Sequence, residues 1–246
     1  MQYFIKSIEN IQGLFSRKQP VGFVKPQNYC FIHTCSLIPD NYEHLDYLVN
    51  HLKGTGLINK LKAVYITNIG HAIDPNKYGN KFEIDNISDN PKLFEIPTLN
   101  KIKAFSEKNP NSNILYLHTK GVTHSGERAK GVKDWTDMLL YFLTDKYETC
   151  LSKLEKYDVV GCNFSNMYYP HFSGNFWWAK SDYIKKLDML DQCDRYQVPP
   201  NSQLPINKQH LEGEFWILRK TKNFISLHNS NTNHYNERYS ASNYRE

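Results

Sequence analysis

The stretch Asn113-Ile-Leu-Tyr-Leu-His-Thr-Lys-Gly-Val122 decides how this chain is read. Ile114 to Leu117 is a short apolar run and predicts a buried strand. The run stops abruptly at His118, Thr119, Lys120 and Gly121. In open α/β sheets, polar residues at the C-terminal end of such a strand lie in the crevice where ligands bind. These four residues are therefore the first candidates for a site.

Working outward, strands and helices alternate. Tyr29 to Thr34 reads as a first strand. A helix follows from about Asn41 to Leu52, with Leu45, Leu48, Val49 and Leu52 on one face and Gly54 and Gly56 closing it. Leu61 to Thr67 is a second strand and Lys81 to Ile87 a short third. Between Pro97 and Lys108, the spacing of Leu99, Ile102 and Phe105 is helical, and Asn109-Pro-Asn-Ser112 ends that segment with turn residues. Beyond the central strand, one long helix is expected from about Val132 to Lys156, carrying Trp135, Met138, Leu139, Phe142 and Leu143. Asp158 to Phe164 then reads as another strand. The pattern predicts βαβ units, a mostly parallel central sheet and flanking helices.

The 246 residues suit one large α/β domain. Hydrophobic residues make up 40% and charged residues 22%, an ordinary globular composition. The net charge of +5 is spread along the chain, so no nucleic-acid polymer is called for, whereas a small anionic substrate suits it. Cys30, Cys35, Cys150, Cys162 and Cys193 form no CxxC pair and no metal spacing, which points to reduced thiols and a cytoplasmic setting. Met1 to Phe15 lacks the apolar core of a signal peptide, and no run of about eighteen apolar residues promises a membrane span. Ile5, Ile8, Ile11 and Phe15 recur at helical spacing, so residues 1–27 read as an extension with a short amphipathic helix packed on its own domain.

Two further clusters stand out. In Tyr169-Pro-His-Phe-Ser-Gly-Asn-Phe-Trp-Trp-Ala179, adjacent tryptophans on an extended segment point to opposite faces, so at most one is expected to serve the core. The other is free to stack on a sugar or base, with Ser173, Gly174 and Asn175 offering a tight turn and hydrogen-bonding groups beside it. The plainer reading packs both rings between sheet and helix. In Glu212-Gly-Glu214-Phe-Trp216, carboxylates sit at the start of an apolar helix, where the helix dipole alone would explain them. They are also the acids best placed to deprotonate an incoming hydroxyl.

Tyr-Leu-His-Thr-Lys-Gly-Val122, Lys133-Asp-Trp135 with Met138, Ser173-Gly-Asn-Phe-Trp-Trp-Ala179 and Glu212-Gly-Glu-Phe-Trp216 together resemble a family of glycosyltransferase-like proteins. Members occur in bacterial surface-polysaccharide clusters and large DNA viruses and have a GT-A type fold. The resemblance spans about residues 28–228 and leaves 229–246 as a polar C-terminal tail. It implies a single GT-A-like, Rossmann-like domain that moves a sugar from a nucleoside diphosphate sugar to a hydroxyl acceptor in glycan or polysaccharide synthesis. The alternative is a GT-A-fold carbohydrate-binding or scaffolding module that has lost transfer. Most GT-A enzymes carry an Asp-x-Asp metal motif where this chain has His118-Thr119-Lys120. Two routes follow: Lys120 neutralises the diphosphate directly, with His118, Thr119 and Gly121 assisting, or Asp85 or Asp89 supplies ligands to Mn²⁺ or Mg²⁺. Glu212 or Glu214 is then the candidate base, and Trp135, Trp177, Trp178, Ser173 to Asn175 and His228 are candidates for binding substrate. Neither a P-loop nor a GxGxxG fingerprint is present to favour a nucleotidyl- or phosphate-handling enzyme.

Overall fold

The computed structural model describes residues 24–190 and 212–245. The helix expected around Ile5 to Phe15 and the thiol of Cys193 lie outside the described residues.

In chain order the elements are β1 (Gln27–Ser36), α1 (Glu43–Gly54), β2 (Ala63–Gly70), β3 (Phe82–Ser88), α2 (Ile96–Lys108) and β4 (Ser112–His118). There follow α3 (Gly126–Leu140), a π-helical turn (Tyr141–Asp145), α4 (Tyr147–Leu154), β5 (Val159–Gly161), β6 (Phe164–Ser165), β7 (His171–Phe172), β8 (Trp177–Lys180), α5 (Ser181–Ile184), α6 (Glu212–Trp216) and β9 (Phe224–Ser226). Seven strands form one sheet in the order β3-β2-β1-β4-β8-β5-β9, and β6 pairs with β7 in a separate ribbon. β8 runs antiparallel to both its neighbours; the other pairings of the large sheet are parallel. The result is a mixed α/β, Rossmann-like domain.

β1 is the pivot of this topology. The chain first steps away from it through β2 to β3, and α2 then carries it back to place β4 on the other side of β1. Strand order reverses between β1 and β4, which is the switch point where α/β sheets open a crevice at the strands' C-terminal ends. His33 and His118 are register partners there.

The sheet is covered on both faces. All seven residues of β4 are buried. Leu115 and Leu117 join the apolar layer with α1, α3 and α4, while Ile114 and Tyr116 join the layer with α2 and α5. Each Leu- or Ile-sized side chain so placed contributes roughly 1.5–3 kcal/mol. This double cover corrects the expectation for the tryptophan pair. Trp177 enters one layer and Trp178 the other, and neither has exposed surface. Their indole N–H groups are also satisfied, Trp177 by Asn175 Oδ1 at 3.0 Å and Trp178 by the Leu143 carbonyl at 2.8 Å. Neither ring is available to stack on a ligand.

The expected helix Val132–Lys156 begins earlier, at Gly126, and is broken. Thr144 Oγ1 donates to the Leu140 carbonyl at 2.5 Å, competing with the helix's own ladder, and Lys146 leaves helical geometry at φ −97°, ψ 31°. The segment after residue 228 is polar and mostly exposed as expected, but it is docked on the domain. His234 is buried, Tyr239 and Tyr244 pack on the apolar layer, and Arg238 grips Asp134 of α3 through Nε and Nη2. Cys30, Cys35, Cys150 and Cys162 are free thiols, and burial pushes those of Cys30, Cys150 and Cys162 up, so they stay protonated. Among the described residues no helix is long and apolar enough to cross a membrane.

Because both tryptophans fill core volume, Trp177→Ala and Trp178→Ala should each cost about 3–5 kcal/mol of stability, read by urea unfolding. A ligand-stacking ring would instead be lost with little effect on the fold.

Candidate active site

Three segments converge at the C-terminal ends of β1 and β4. The first is the end of β4. The Thr119 amide still donates to the His33 carbonyl at 3.0 Å, but Gly121, at φ 79°, turns the chain away toward α3. The second is the start of α2, where Phe94 takes φ 47° and ψ −139°, a region bulky residues rarely visit. Glu95 follows directly and lies against the buried end of β4. The third is the turn Phe172 to Asn175, closed by the Asn175 amide on the Phe172 carbonyl at 2.9 Å. Gly174 has φ 97°, and a Cβ there would stand 2.7 Å from Leu139 Cδ1 and 3.0 Å from Trp135 Cζ2, so only glycine fits.

His118 and Glu95 lock these segments together. His118 Nε2 lies 3.1 Å from the Gly174 carbonyl, which can only accept, so Nε2 carries the hydrogen. His118 Nδ1 is 3.2 Å from Glu95 Oε1, and Asn175 Nδ2 donates to Glu95 Oε2 at 2.5 Å. Burial, then the charge of Lys120, holds His118 well below its ordinary pKa. Burial first and the charge of Glu214 second push Glu95 up to about 7, against the opposing pull of Lys120 and Asn175. Below that pKa one arrangement satisfies the geometry: a neutral imidazole whose bare Nδ1 accepts a hydrogen bond from protonated Glu95. Burial likewise lowers His33 to about 3, and its Nδ1 meets Thr98 Oγ1 at 2.9 Å.

Lys120 is a half-buried cation resting on aromatic rings. Its Nζ is 4.4 Å from the centre of the Trp135 ring and 5.8 Å from that of Phe176. Burial lowers its pKa, while Glu214 and then Glu95 support its charge. Glu214 is itself raised by burial and lowered by Lys120. His171 Nε2 stands 3.8 Å from Glu214 Oε2, and its Nδ1 is 2.8 Å from the Tyr169 carbonyl.

Two cavities flank the segment His118 to Thr123. The smaller, about 250 Å³, has His33, Glu95, His118, Thr119 and Glu214 on one part of its wall and Leu37, Pro91, Phe94 and Val122 on another. The larger, about 760 Å³, lies between α1 and α3 and is bounded by Lys120, Gly121, His44, Tyr47 and Lys133 among others. Lys120 faces the larger cavity and Glu214 the smaller.

Of the residues singled out from sequence, the fold gathers His118, Thr119, Lys120, Gly121, Gly174, Asn175 and Glu214 here. Ser173 is half-buried beside them. Several others are corrected. Glu212 pairs with Arg219 at 3.2 Å rather than entering the cavity. Trp135 is engaged by Lys120 and by the stacked ring of His234, 5.3 Å away and 8° from parallel, so it supports the lysine rather than a ligand. His228 stacks on Phe142 and meets the Tyr239 hydroxyl at 2.9 Å, which fixes the tail rather than lining either cavity. Asp85 is paired with Lys101 on β3, three strands from β4 and so roughly 14 Å away, and Asp89 follows the same strand. Among the described residues no His, Cys, Asp and Glu group is placed to hold a metal ion. The His118-Thr119-Lys120 segment does not fit a divalent cation either, since both ring nitrogens of His118 are engaged and Lys120 is positive. Sequence reasoning missed Glu95, His33 and His171. His33 had a signal in its place near the end of the strand that pairs with β4, and His171 in lying within the stretch Tyr169 to Ala179.

Glu95 gives the site a pH signature. A carboxyl with a higher pKa folded than unfolded adds stability that is whole below about 4.5 and lost as the pH rises through about 7. Gln at this position mimics the protonated acid, accepting from Asn175 and donating to His118. Glu95→Gln should therefore match the parent near pH 4.5 and exceed it by about 2–3 kcal/mol above pH 7.5, measured by denaturant titration across pH.

The curated proteins contain no match. Among solved structures, Rv0371c from Mycobacterium tuberculosis H37Rv is similar with a TM-score of 0.36 and 9% identity, over 67% of this chain and 78% of that one. The same protein in complex with manganese gives 0.35 and 10%, over 67% and 77%. A 4-diphosphocytidyl-2C-methyl-D-erythritol synthase gives 0.34 and 9%, over 68% and 82%. The family model described as Domain of unknown function (DUF8361) matches residues 43–238, which include β4, Glu95, the Phe172 to Asn175 turn and Glu214, and the chain belongs to that family.

Proposed function

We propose that this protein is a glycosyltransferase of GT-A type that moves a sugar from a nucleoside diphosphate sugar to a hydroxyl acceptor. The observation that carries the reading is the placement of Lys120 and Glu214 in adjacent cavities at the sheet's switch point. The 760 Å³ groove falls within the roughly 300–1,000 Å³ of sites that enclose drug-sized ligands, and it suits the nucleotide. The 250 Å³ cavity falls below that range and suits an acceptor's reacting end. The resemblance in the His118-Thr119-Lys120-Gly121 and Ser173 to Ala179 segments supports the same family of reactions.

In the inverting form of the reaction, Glu214 takes the proton of the acceptor hydroxyl. The acceptor oxygen bonds to the anomeric carbon, and the bond from that carbon to the diphosphate breaks with its electron pair staying on the departing oxygen. Lys120 faces that charge from a site where aromatic rings in place of water strengthen its field. Trp135 and Phe176 hold the ammonium in place, and the Glu95–His118 lock holds the strand end that carries it. Neutral His118 lies beside the lysine without adding to its repulsion.

Lys120→Met keeps the packing on Trp135 and removes the charge. Turnover in a panel of UDP-, GDP-, CMP- and dTDP-sugars should fall by about 10²–10³-fold with unchanged circular dichroism. Near-parental turnover in this variant would overturn the assignment. A panel in which no nucleotide sugar raises the parent's melting temperature would move the reading to a glycan-binding module.

A further inference from the structure

The 250 Å³ cavity has two chemistries on one wall. Its inner part carries hydrogen-bonding and titratable groups, the buried His33, His118 and Thr119 and the half-buried carboxyls of Glu95 and Glu214, with the apolar Ile69 beside them. Its outer part is mostly apolar and open to water: Leu37 is 41% exposed and Phe94 46%, with Pro91, Val122 and the exposed Thr123 beside them. Ile38, next to Leu37, is 59% exposed. Single exposed apolar residues are ordinary on a protein surface. These come from three separate segments, residues 37–38, 91–94 and 122, and Leu37, Pro91, Phe94 and Val122 border one opening. The apolar side chains thus lie together at the mouth of the cavity instead of being scattered over the surface. The backbone adds a second observation. Phe94 holds a left-handed φ of 47°, and the same departure sets Glu95 in the inner part and Phe94 at the outer part.

A compact polyol would satisfy the inner end and leave the outer wall facing water, and a wholly apolar ligand would strand the carboxyl of Glu214, whose nearest basic neighbour, His171 Nε2, is 3.8 Å away. An anionic head would meet Glu214 and, above neutral pH, Glu95. We propose that the acceptor is an amphiphilic alcohol whose hydroxyl-bearing head sits against Glu214 and Thr119 and whose apolar chain leaves past Leu37, Pro91, Phe94 and Val122. The inference takes from the preceding reading only that this cavity is the acceptor's.

The test is calorimetric titration of the full chain, with no donor present, using n-alkyl β-D-glucosides from methyl to octyl below their micelle concentrations. Affinity should rise with chain length, up to about fourfold for each methylene that is fully buried. The double variant Leu37→Ser, Phe94→Ser should flatten that rise, while Glu214→Gln should weaken every chain length alike and leave the slope. Equal affinity for methyl and octyl glucosides would overturn the proposal, as would a slope that survives the double variant with native circular dichroism. A concentration-dependent dimer abolished by the double variant, without a chain-length slope, would assign the apolar mouth to a second copy and also overturn it. Nucleotide-sugar binding is read separately, so a normal slope in a protein that binds no nucleotide sugar would remove the transferase reading and leave the amphiphile cavity standing.

Discussion

One buried carboxyl holds the site together. Glu95 meets His118 from β4 and Asn175 from the turn before β8, and it does so from the N-cap of α2. Those three segments are distant in sequence and join at the point where the strand order reverses. The hydrogen-bond directions leave little freedom: the Gly174 carbonyl fixes the hydrogen on His118 Nε2, and that in turn asks Glu95 for a proton. An ionised carboxylate in the same place would gain from Lys120 but would lose that bond to Nδ1 and stand closer in charge to Glu214. Buried polar groups of this kind are stable only when every member is satisfied.

Lys120 is the counterpart of that arrangement. A buried ammonium is costly unless something replaces its water. Here two rings beneath it, the charge of Glu214 acting through space and, once it ionises, that of Glu95 share that role, and no carboxylate among the described residues forms a direct ion pair with it. A cation held by rings and distant charges keeps its donors open to an incoming anion, whereas one closed in a tight pair does not. This separates Lys120 from Lys101 and Lys103, which are bound to Asp85 and Glu107.

Much of this architecture was legible in the residues, for physical reasons that also explain what was not. Ile114 to Leu117 declared a buried strand because a continuous apolar run has no face to give to water. The α1 helix was equally plain, since Leu45, Leu48, Val49 and Leu52 repeat at 3.6 residues and all are buried. The π-helical turn was hidden because apolar residues continue through it, so the pattern reads as one uninterrupted helix. Trp177 and Trp178 were misread for the opposite reason. Alternation along a strand tells that adjacent side chains face opposite ways, but whether helices cover both faces is decided by elements far away in sequence. Glu212 and Glu214, two residues apart on a helix, could not both face the same cavity, and nothing local said which one would. Glu95 had no local mark at all, since an acid before a helix is common and its partners are supplied by tertiary contacts, one of them 80 residues away.

The docking of residues 229–245 on α3 has a consequence for motion. The contact relies on the bare backbone of Gly131, where a Cβ would stand 3.2 Å from the His234 carbonyl and 3.3 Å from that of Glu237. Its exposed fastenings include the Arg238–Asp134 and Arg245–Asp145 pairs. No strand of the central sheet runs through this segment, so detaching it would break no ladder hydrogen bond. It is thus a unit that can open at a free-energy cost below that of global unfolding. Such an opening takes His234 off the indole of Trp135, the ring beneath Lys120, while all seven strands stay paired. The ring beneath that lysine is thus coupled to the docking of residues 229–245, and amide exchange in those residues would read the docking independently of the stability of the sheet.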